Sequence, residues 1–90
     1  MTDADPQNRE AASTAALDTL GLKCPLPALR TRRALLGLNN GETLTVLADD
    51  PMAAIDIPHL VRELGEELLV AEEQDARLRF VIRRTRSAAG

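Results

Sequence analysis

Residues 21–28 read Gly-Leu-Lys-Cys-Pro-Leu-Pro-Ala, and this stretch marks a change from a strand pattern to a helix pattern. It contains the only cysteine of the 90-residue chain, Cys24, and two of its five prolines. The preceding run, 15–20, is mostly apolar and predicts a short strand that ends at Gly21. After the prolines the apolar spacing becomes helical as far as Leu38. The stretch therefore predicts a tight strand-to-helix turn that carries a lone thiol.

Similar signals downstream predict a second strand and a second helix. Residues 39–41, Asn-Asn-Gly, end the first helix, since both residue types tolerate a left-handed C-cap. The uncharged run 43–48 is rich in β-branched residues and predicts a central strand. The triplet Asp49-Asp50-Pro51 predicts the start of a second helix that ends at Gly65.

The last third of the chain completes the predicted fold. Pro58 lies inside the second helix and predicts a kink, or a restart near Asp56. Two strands, 67–72 and 78–84, follow around a turn at 74–76, and the last one alternates apolar with mostly basic residues. The order β-α-β-α-β-β predicts an α/β two-layer sandwich, a four-stranded mixed sheet with two helices packed on one face.

Length and composition allow one domain, which we place at 15–86. Residues 1–14 lack apolar periodicity and are predicted to be a disordered tail, and 87–90 a short flexible one. Phe80 is the only aromatic residue, and the net charge is −3. The chain therefore lacks the aromatic platforms of single-strand binders and the basic balance of dedicated DNA-binding proteins.

Cysteine usage and hydropathy predict a cytoplasmic protein with a free thiol. A single cysteine forms no internal disulfide, and no Cys/His spacing is typical of zinc sites. The chain has no apolar run of about 18 residues, the length that would cross a bilayer. Its first residues are polar and acidic, so they do not resemble a secretory signal.

Cys24 is a candidate nucleophile because it directly precedes the first helix. The N-terminus of a helix has unpaired N–H groups and about half a positive charge. Lys23 beside it, and Arg30 and Arg33 on the helix, add positive potential. Because the thiolate is the nucleophilic form, this position predicts a thiol pKa below its ordinary value. The ordinary alternative is that Cys24 is a small buried hydrophobic residue.

Gly21, Pro25 and Pro27 are candidates for shaping this site. A proline in the first helical turn loses no helical hydrogen bond, and it restricts the residue before it to extended geometry. The result is a stiff turn that holds the thiol at a fixed angle. Arg30 and Arg33, with Arg32, are either a solvated helix face or a docking patch for an acidic partner.

Several motifs occur in a fixed order along the chain: Leu17-Asp18, Gly21-Leu22-Lys23-Cys24-Pro25-Leu26-Pro27, Gly41-Glu42-Thr43-Leu44, Asp49-Asp50-Pro51-Met52-Ala53, Asp56-Ile57-Pro58 and Gly65. Together they resemble the TusA/SirA-like sulfur carrier (sulfurtransferase) family, whose signature is Cys-Pro-x-Pro. The resemblance covers about 17–84 and implies the same β-α-β-α-β-β sandwich.

The resemblance also implies a role in sulfur trafficking. Cys24 would accept sulfane sulfur as a persulfide from a donor protein, either a cysteine desulfurase or a rhodanese-like protein. It would pass that sulfur to an acceptor such as a DsrE-like or other relay protein. Destinations in similar proteins are tRNA thiolation, molybdenum-cofactor synthesis and sulfur oxidation. No metal or organic cofactor is implied, no membrane and no direct DNA binding.

Some members of this family carry a second cysteine three residues after the proline that corresponds to Pro58. Here that position is Val61, so an internal disulfide with a second thiol is excluded and Cys24 must pass sulfur outward. His59 is expected to be a solvent-facing helix residue rather than an acid or base. Asp49 and Asp50 are expected to cap the second helix rather than shape the site.

A second hypothesis is a non-catalytic regulatory module, or an RNA- or protein-binding module, of the same fold. The C-terminal hairpin is rich in arginines that could contact phosphate: Arg77, Arg79, Arg83, Arg84 and Arg86. The acidic balance and the missing aromatic residues argue against it. A thiol-redox enzyme is disfavoured, since the chain has no second cysteine to resolve a disulfide.

Overall fold

Strands and helices alternate in the predicted order. The computed structural model describes residues 14–85. The elements are β1 (Thr14–Thr19), α1 (Leu26–Leu36), β2 (Thr43–Ala48), α2 (Ala53–Leu64), β3 (Glu67–Gln74) and β4 (Arg77–Arg83). The predicted tails lie outside the described residues, except that Thr14 is the first residue of β1. Neither helix in this part of the chain is long and apolar enough to cross a membrane.

The four strands form one mixed sheet in the order β1-β2-β4-β3. β1 and β2 are parallel, with Thr19 opposite Ala48 at their carboxyl ends. β4 is antiparallel to both of its neighbours, β2 and β3. β2 is therefore an inner strand, as predicted, and the mixed two-layer sandwich is confirmed.

The core lies between the sheet and the two helices and is almost entirely aliphatic. α1 contributes Leu35, and α2 contributes Ile57 and Val61, all buried. The sheet contributes alternate residues of its two inner strands: Leu44, Val46, Ala48, Leu78, Phe80 and Ile82. The predicted alternation in β4 is thus confirmed, because Leu78, Phe80 and Ile82 are buried while the arginines between and beside them are exposed and Val81 is half-buried.

Neither helix of the described residues covers the other face of the sheet, which carries cross-strand ion pairs. Arg79 on β4 pairs with Glu72 on β3 at 2.8 Å, and Arg83 pairs with Glu67 at 2.9 Å. Two of the hairpin arginines are therefore already neutralised by neighbouring carboxylates.

α2 runs without interruption from Ala53 to Leu64, so the restart predicted near Asp56 is wrong. Pro58 lies inside the helix and cannot donate to the carbonyl of Ala54, four residues earlier. Ala54 is exposed, so water can reach that carbonyl. The helix ends as predicted at Gly65, whose φ of 77° is the left-handed C-cap geometry that glycine favours.

An ion pair between a partly exposed arginine and a buried carboxylate lies at the end of α1. Arg84 Nη1 donates to the carbonyls of Leu35 and Leu38 at 2.6 and 2.8 Å. Behind it lies the fully buried side chain of Glu66, with Oε2 3.5 Å from Arg84 Nε. Its other oxygen, Oε1, accepts from the backbone N–H of Thr85 at 2.8 Å. We call these residues the Arg84 clamp.

Candidate functional site

The site lies at the sheet edge where the parallel strands β1 and β2 end. Carboxyl ends of parallel strands share one edge, so the segments that follow them meet there. The first of these segments turns at Gly21, whose φ of 85° is open to glycine and strained for other residues. Its N–H donates to Asp49 Oδ1 at 3.0 Å, which joins the two segments.

Asp50 fastens the thiol segment to the start of α2. Its Oδ2 accepts from the backbone N–H of Cys24 at 2.5 Å, and its Oδ1 from that of Met52 at 3.2 Å. The Asp50 carbonyl also accepts from the N–H of Ala53 at 2.9 Å, where the helix begins. The expectation that Asp49 and Asp50 cap the helix rather than shape the site is therefore wrong, because Asp49 binds Gly21, and Asp50 binds Cys24 as well as Met52.

These backbone hydrogen bonds hold the pKa of Asp50 below its ordinary value. The N–H of Cys24 contributes most, the N–H of Met52 next, and the nearby charge of Lys23 adds to them. Asp50 is therefore charged at neutral pH and stays an acceptor for both donors.

Cys24 itself is a free, exposed thiol. Its Sγ lies 3.0 Å from Asp56 Oδ2, on the first turns of α2. The alternative that Cys24 is a buried hydrophobic residue is wrong, since the sulfur is open to solvent and hydrogen-bonded to a carboxylate. The geometry presents one sulfur at the surface with its backbone and its thiol both held.

The expected low thiol pKa is also wrong. The hydrogen bond from the thiol to Asp56, some loss of hydration, and the charges of Asp56 and Asp50 raise the pKa of Cys24 above its ordinary value. The physical reason is that a thiolate would lie beside two carboxylates. Helix α1 begins only at Leu26, so Cys24 lies outside it, and Lys23 acts on Asp50.

The prolines form the turn into α1. Pro25 is the N-cap residue of the helix, and the Cys24–Pro25 peptide bond is cis. The N–H of Leu26 donates to the carbonyl of Lys23 at 2.8 Å. Pro27 is buried, and its carbonyl accepts from the Thr31 hydroxyl at 2.7 Å. Pro27 thus anchors the thiol segment on the core side, whereas Pro25 is exposed, and the shaping role of the two prolines stays a prediction.

The other residues singled out from the sequence lie around this centre rather than in it. Arg30 and Arg33 are exposed on α1, and neither forms an ion pair with any described residue. His59 is exposed, with its Nε2 3.2 Å from Glu63 on the same helix, so the solvent-facing interpretation is confirmed. Val61 is buried in the core.

Asp56 is the site residue that sequence reasoning missed. The sequence predicts a helix restart near Asp56 and includes the residue in a family motif, but it indicates no role for Asp56 at the thiol. One signal could have found it: both helices start at the same sheet edge, so an acidic residue one turn into α2 lies near the start of α1. Across residues 14–85, no group of three or more His, Cys, Asp or Glu side chains could hold a metal ion.

Comparison with known proteins identifies the family. A family model described as Sulfurtransferase TusA matches residues 15–84. A protein of Archaeoglobus fulgidus named "Putative sulfur carrier protein" is 47% identical over 68 residues, covering 74% of this chain and 88% of the relative. One of the same description from Neisseria meningitidis is 47% identical over 66 residues, covering 73% of this chain and 89% of the relative.

A solved structure adds the same result at the level of the fold. The crystal structure of a SirA-like protein from Desulfitobacterium hafniense superposes with a TM-score of 0.70 at 25% identity. The match covers 80% of this chain and 99% of that chain. With the family match over nearly the whole described structure, the chain belongs to the sulfurtransferase TusA family of sulfur carriers.

Proposed function

We propose that this protein binds sulfane sulfur as a persulfide on Cys24 and relays it to partner proteins. The observation that carries the proposal is the exposed Cys24 sulfur, which donates to Asp56 while Asp50 holds the backbone N–H of the same residue. Family membership as a sulfur carrier supports the same role. The protein thus acts as a sulfurtransferase only together with a donor and an acceptor.

The exposure of the thiol suits transfer between proteins. A persulfide moves when a thiolate attacks the outer sulfur along the axis of the S–S bond, so the two protein sulfurs must approach closely. A cavity of about 530 Å³ lies on the open face of the sheet, among residues such as Leu47, Glu72 and Arg79, and Cys24 does not line it. The carrier therefore offers its sulfur at a surface that a partner can cover.

Partner proteins follow from this chemistry. The proposed donor is a cysteine desulfurase or a rhodanese-like protein, and the proposed acceptor is a DsrE-like or other relay protein in the cytoplasm. Arg30 and Arg33 on α1 have no ion-pair partner within residues 14–85 and can steer an acidic partner surface towards the site. Which of tRNA thiolation, molybdenum-cofactor synthesis or sulfur oxidation receives the sulfur depends on that acceptor.

The sheet face that the helices leave open argues against the hypothesis of an RNA-binding module of the same fold. Arg79 and Arg83 are paired with Glu72 and Glu67, so their charges are not free for phosphate. Phe80 points into the core and offers no stacking surface.

The test is intact-mass spectrometry after exposure to polysulfide or to a persulfide-loaded rhodanese. The wild-type protein is expected to gain one sulfur atom that reductant removes, and Cys24→Ser is expected to gain none. Circular dichroism of Cys24→Ser checks that the fold is kept. If the folded wild-type protein gains no sulfur from any donor, Cys24 is not a persulfide carrier and the proposal fails.

A further inference from the structure

We propose that Asp56 is a positioning residue of the transfer reaction: it holds unloaded Cys24 as a hydrogen-bonded thiol and so favours release of sulfur over its retention. This inference rests on the proposed function above. It adds to that function a preferred direction of sulfur transfer. Release of sulfur from Cys24 is favoured because Asp56 stabilises the unloaded thiol.

The contact that carries the inference joins Cys24 Sγ to Asp56 Oδ2 at 3.0 Å. The thiol must be the donor, because a carboxylate can only accept. Asp56 is fixed by α2, where its own N–H donates to the carbonyl of Met52 at 2.9 Å. The backbone of Cys24 is fixed separately by Asp50. The backbone of each residue is therefore held independently of the contact between the two side chains.

The charges around the sulfur act in the same direction. Asp56 on α2 and Asp50 before it both face the thiol and favour its neutral form. Lys23, the cation next to Cys24, acts on Asp50. The first turn of α1 brings no acidic residue, and its arginines are exposed without an ion pair to the described residues. The charges that shift the Cys24 pKa within the described structure are thus both carboxylates.

Loading with sulfur removes this hydrogen bond. In the persulfide, Sγ is bonded to Cβ and to the outer sulfur, so it has no proton to donate to Asp56. The outer sulfur carries the acidic proton instead. Its anion would lie near the same two carboxylates, so the loaded form gains nothing from Asp56 and is repelled by it.

Discharge restores the hydrogen bond in a balanced step. An acceptor thiolate attacks the outer sulfur of the protonated persulfide, Cys24–S–SH, a new S–S bond forms, and the old S–S bond breaks with its electron pair left on Cys24 Sγ. The proton of the newly formed persulfide moves to Sγ, directly or through water. The acceptor is oxidised to a persulfide anion, and Cys24 is reduced to a thiol that donates to Asp56. No further oxidant or reductant is needed.

The test compares Asp56→Asn and Asp56→Ala with a matched control, Glu63→Gln. Asp56→Asn removes the charge at constant shape, and Asp56→Ala removes the acceptor as well. The control removes one exposed carboxylate from the same helix, at a residue that contacts His59 rather than the thiol. Asp56 is only half-buried and alanine favours helices, so both variants are expected to fold, which circular dichroism checks.

The first readout is the pH dependence of Cys24 alkylation by iodoacetamide. Both Asp56 variants should reach their maximal rate at lower pH than the wild-type protein. Near neutral pH their rate should be about three- to tenfold higher, the range expected for loss of one hydrogen bond. Glu63→Gln should follow the wild-type profile. A purely structural role of Asp56 would not move this profile.

The second readout is the loaded fraction at equilibrium with glutathione and glutathione persulfide, measured by intact mass. The ratio of loaded to unloaded protein should rise about three- to tenfold in the Asp56 variants. Wild-type values for both readouts in both variants would overturn the inference. A wild-type protein that never gains sulfur would instead overturn the proposed function, and with it the release step, whatever the alkylation profile shows.

Discussion

The two ends of helix α1 both meet carboxylates, with opposite consequences. At its start, Asp50 holds the backbone of Cys24 and Asp56 accepts from its exposed thiol. At its end, Arg84 caps the last carbonyls and the carboxylate of Glu66 lies behind it, fully buried. The thiol end thus presents a reactive atom, whereas the Arg84 clamp ties the helix to the sheet.

Carboxylates at the start of α1 therefore affect the reactivity of the thiol, whereas the carboxylate at its end affects the stability of the fold. A buried, paired charge is costly to break because its partner is left without compensation. An exposed carboxylate next to a thiol contributes little to folding, but it changes the proton affinity of the sulfur beside it. We therefore expect substitutions at the two ends to be distinguishable in the same protein.

The largest expected effect is the loss of the Arg84 clamp. Glu66→Ala leaves Arg84 without its carboxylate and the N–H of Thr85 without its acceptor. We expect the free energy of unfolding to fall by about 2–3 kcal/mol, below the full cost of an entirely buried pair because Arg84 is partly exposed. Urea denaturation measures this fall, and Cys24 alkylation of the folded variant should be unchanged. Equal losses in Glu66→Ala and Glu67→Ala would contradict the comparison.

A smaller effect is expected from Asp50→Ala at the thiol end. The variant removes the acceptor of the N–H groups of Cys24 and Met52, so the thiol segment loses its attachment to α2. The rate of sulfur loading from polysulfide should change by about three- to tenfold, while the urea midpoint falls less than in Glu66→Ala. A loading rate equal to that of the wild-type protein would show that this attachment does not position the sulfur.

The contribution of Asp50 to stability should also depend on pH. The pKa of Asp50 is lowered in the folded protein, so its stabilising effect is fully present above the ordinary value of 3.8. That effect is lost as pH falls below this value through the lowered pKa of the folded state. The wild-type protein should therefore lose more of its urea resistance between neutral pH and acid than Asp50→Asn. Parallel losses in both proteins would rule out Asp50 as the source.

The contribution of the Cys24 thiol to stability should depend on pH in the opposite sense to that of Asp50. The pKa of Cys24 is raised by Asp56, so the thiol stabilises the folded state below the ordinary value of 9.0 and loses this effect as pH rises through the raised pKa. Alkylation of the folded protein should therefore reach its maximal rate at higher pH than alkylation of the urea-unfolded chain. A lower midpoint in the folded protein would instead indicate the activation by a helix N-terminus that the sequence predicted.

The smallest effect on the free energy of unfolding is expected at Glu67, the residue after Glu66 of the Arg84 clamp. Glu67 pairs with Arg83 at 2.9 Å, closer than the 3.5 Å between Glu66 and Arg84, but both side chains are largely exposed. Glu67→Gln should lower the free energy of unfolding by less than about 0.5 kcal/mol. Urea denaturation of Glu66→Gln beside Glu67→Gln then tests whether burial outweighs distance. The reverse ranking would overturn that view.

Local sequence signals predicted most of the fold. The second strand, 43–48, was predicted with its observed bounds, and the end of α2 at Gly65 follows from a glycine in left-handed geometry. Such features depend on residues that are close in sequence, so turn and capping preferences reveal them. The false restart near Asp56 came from treating Pro58 as a break, although a single lost hydrogen bond near a solvated helix start is tolerated.

The sequence predicted the cysteine of the site but not the carboxylates around it. Cys24 and its prolines stand in one short stretch, so the sequence showed them directly. The roles of Asp50 and Asp56 depend on α2 starting beside α1, which only the assembled sheet determines. The sign of the thiol pKa shift was missed for the same reason, because the nearest cations in sequence are not the nearest charges in space.

The hydrogen bonds of the thiol segment also bear on how the protein is made. Gly21 and Cys24 are held by carboxylates 26 to 32 residues further along the chain. During synthesis, Cys24 therefore leaves the ribosome well before Asp50 and Asp56, as an ordinary unrestrained thiol. Only a chain whose second helix has docked presents sulfur in the geometry described above. The proposed sulfur exchange is thus expected only of the finished molecule, and no short peptide around its cysteine should reproduce it.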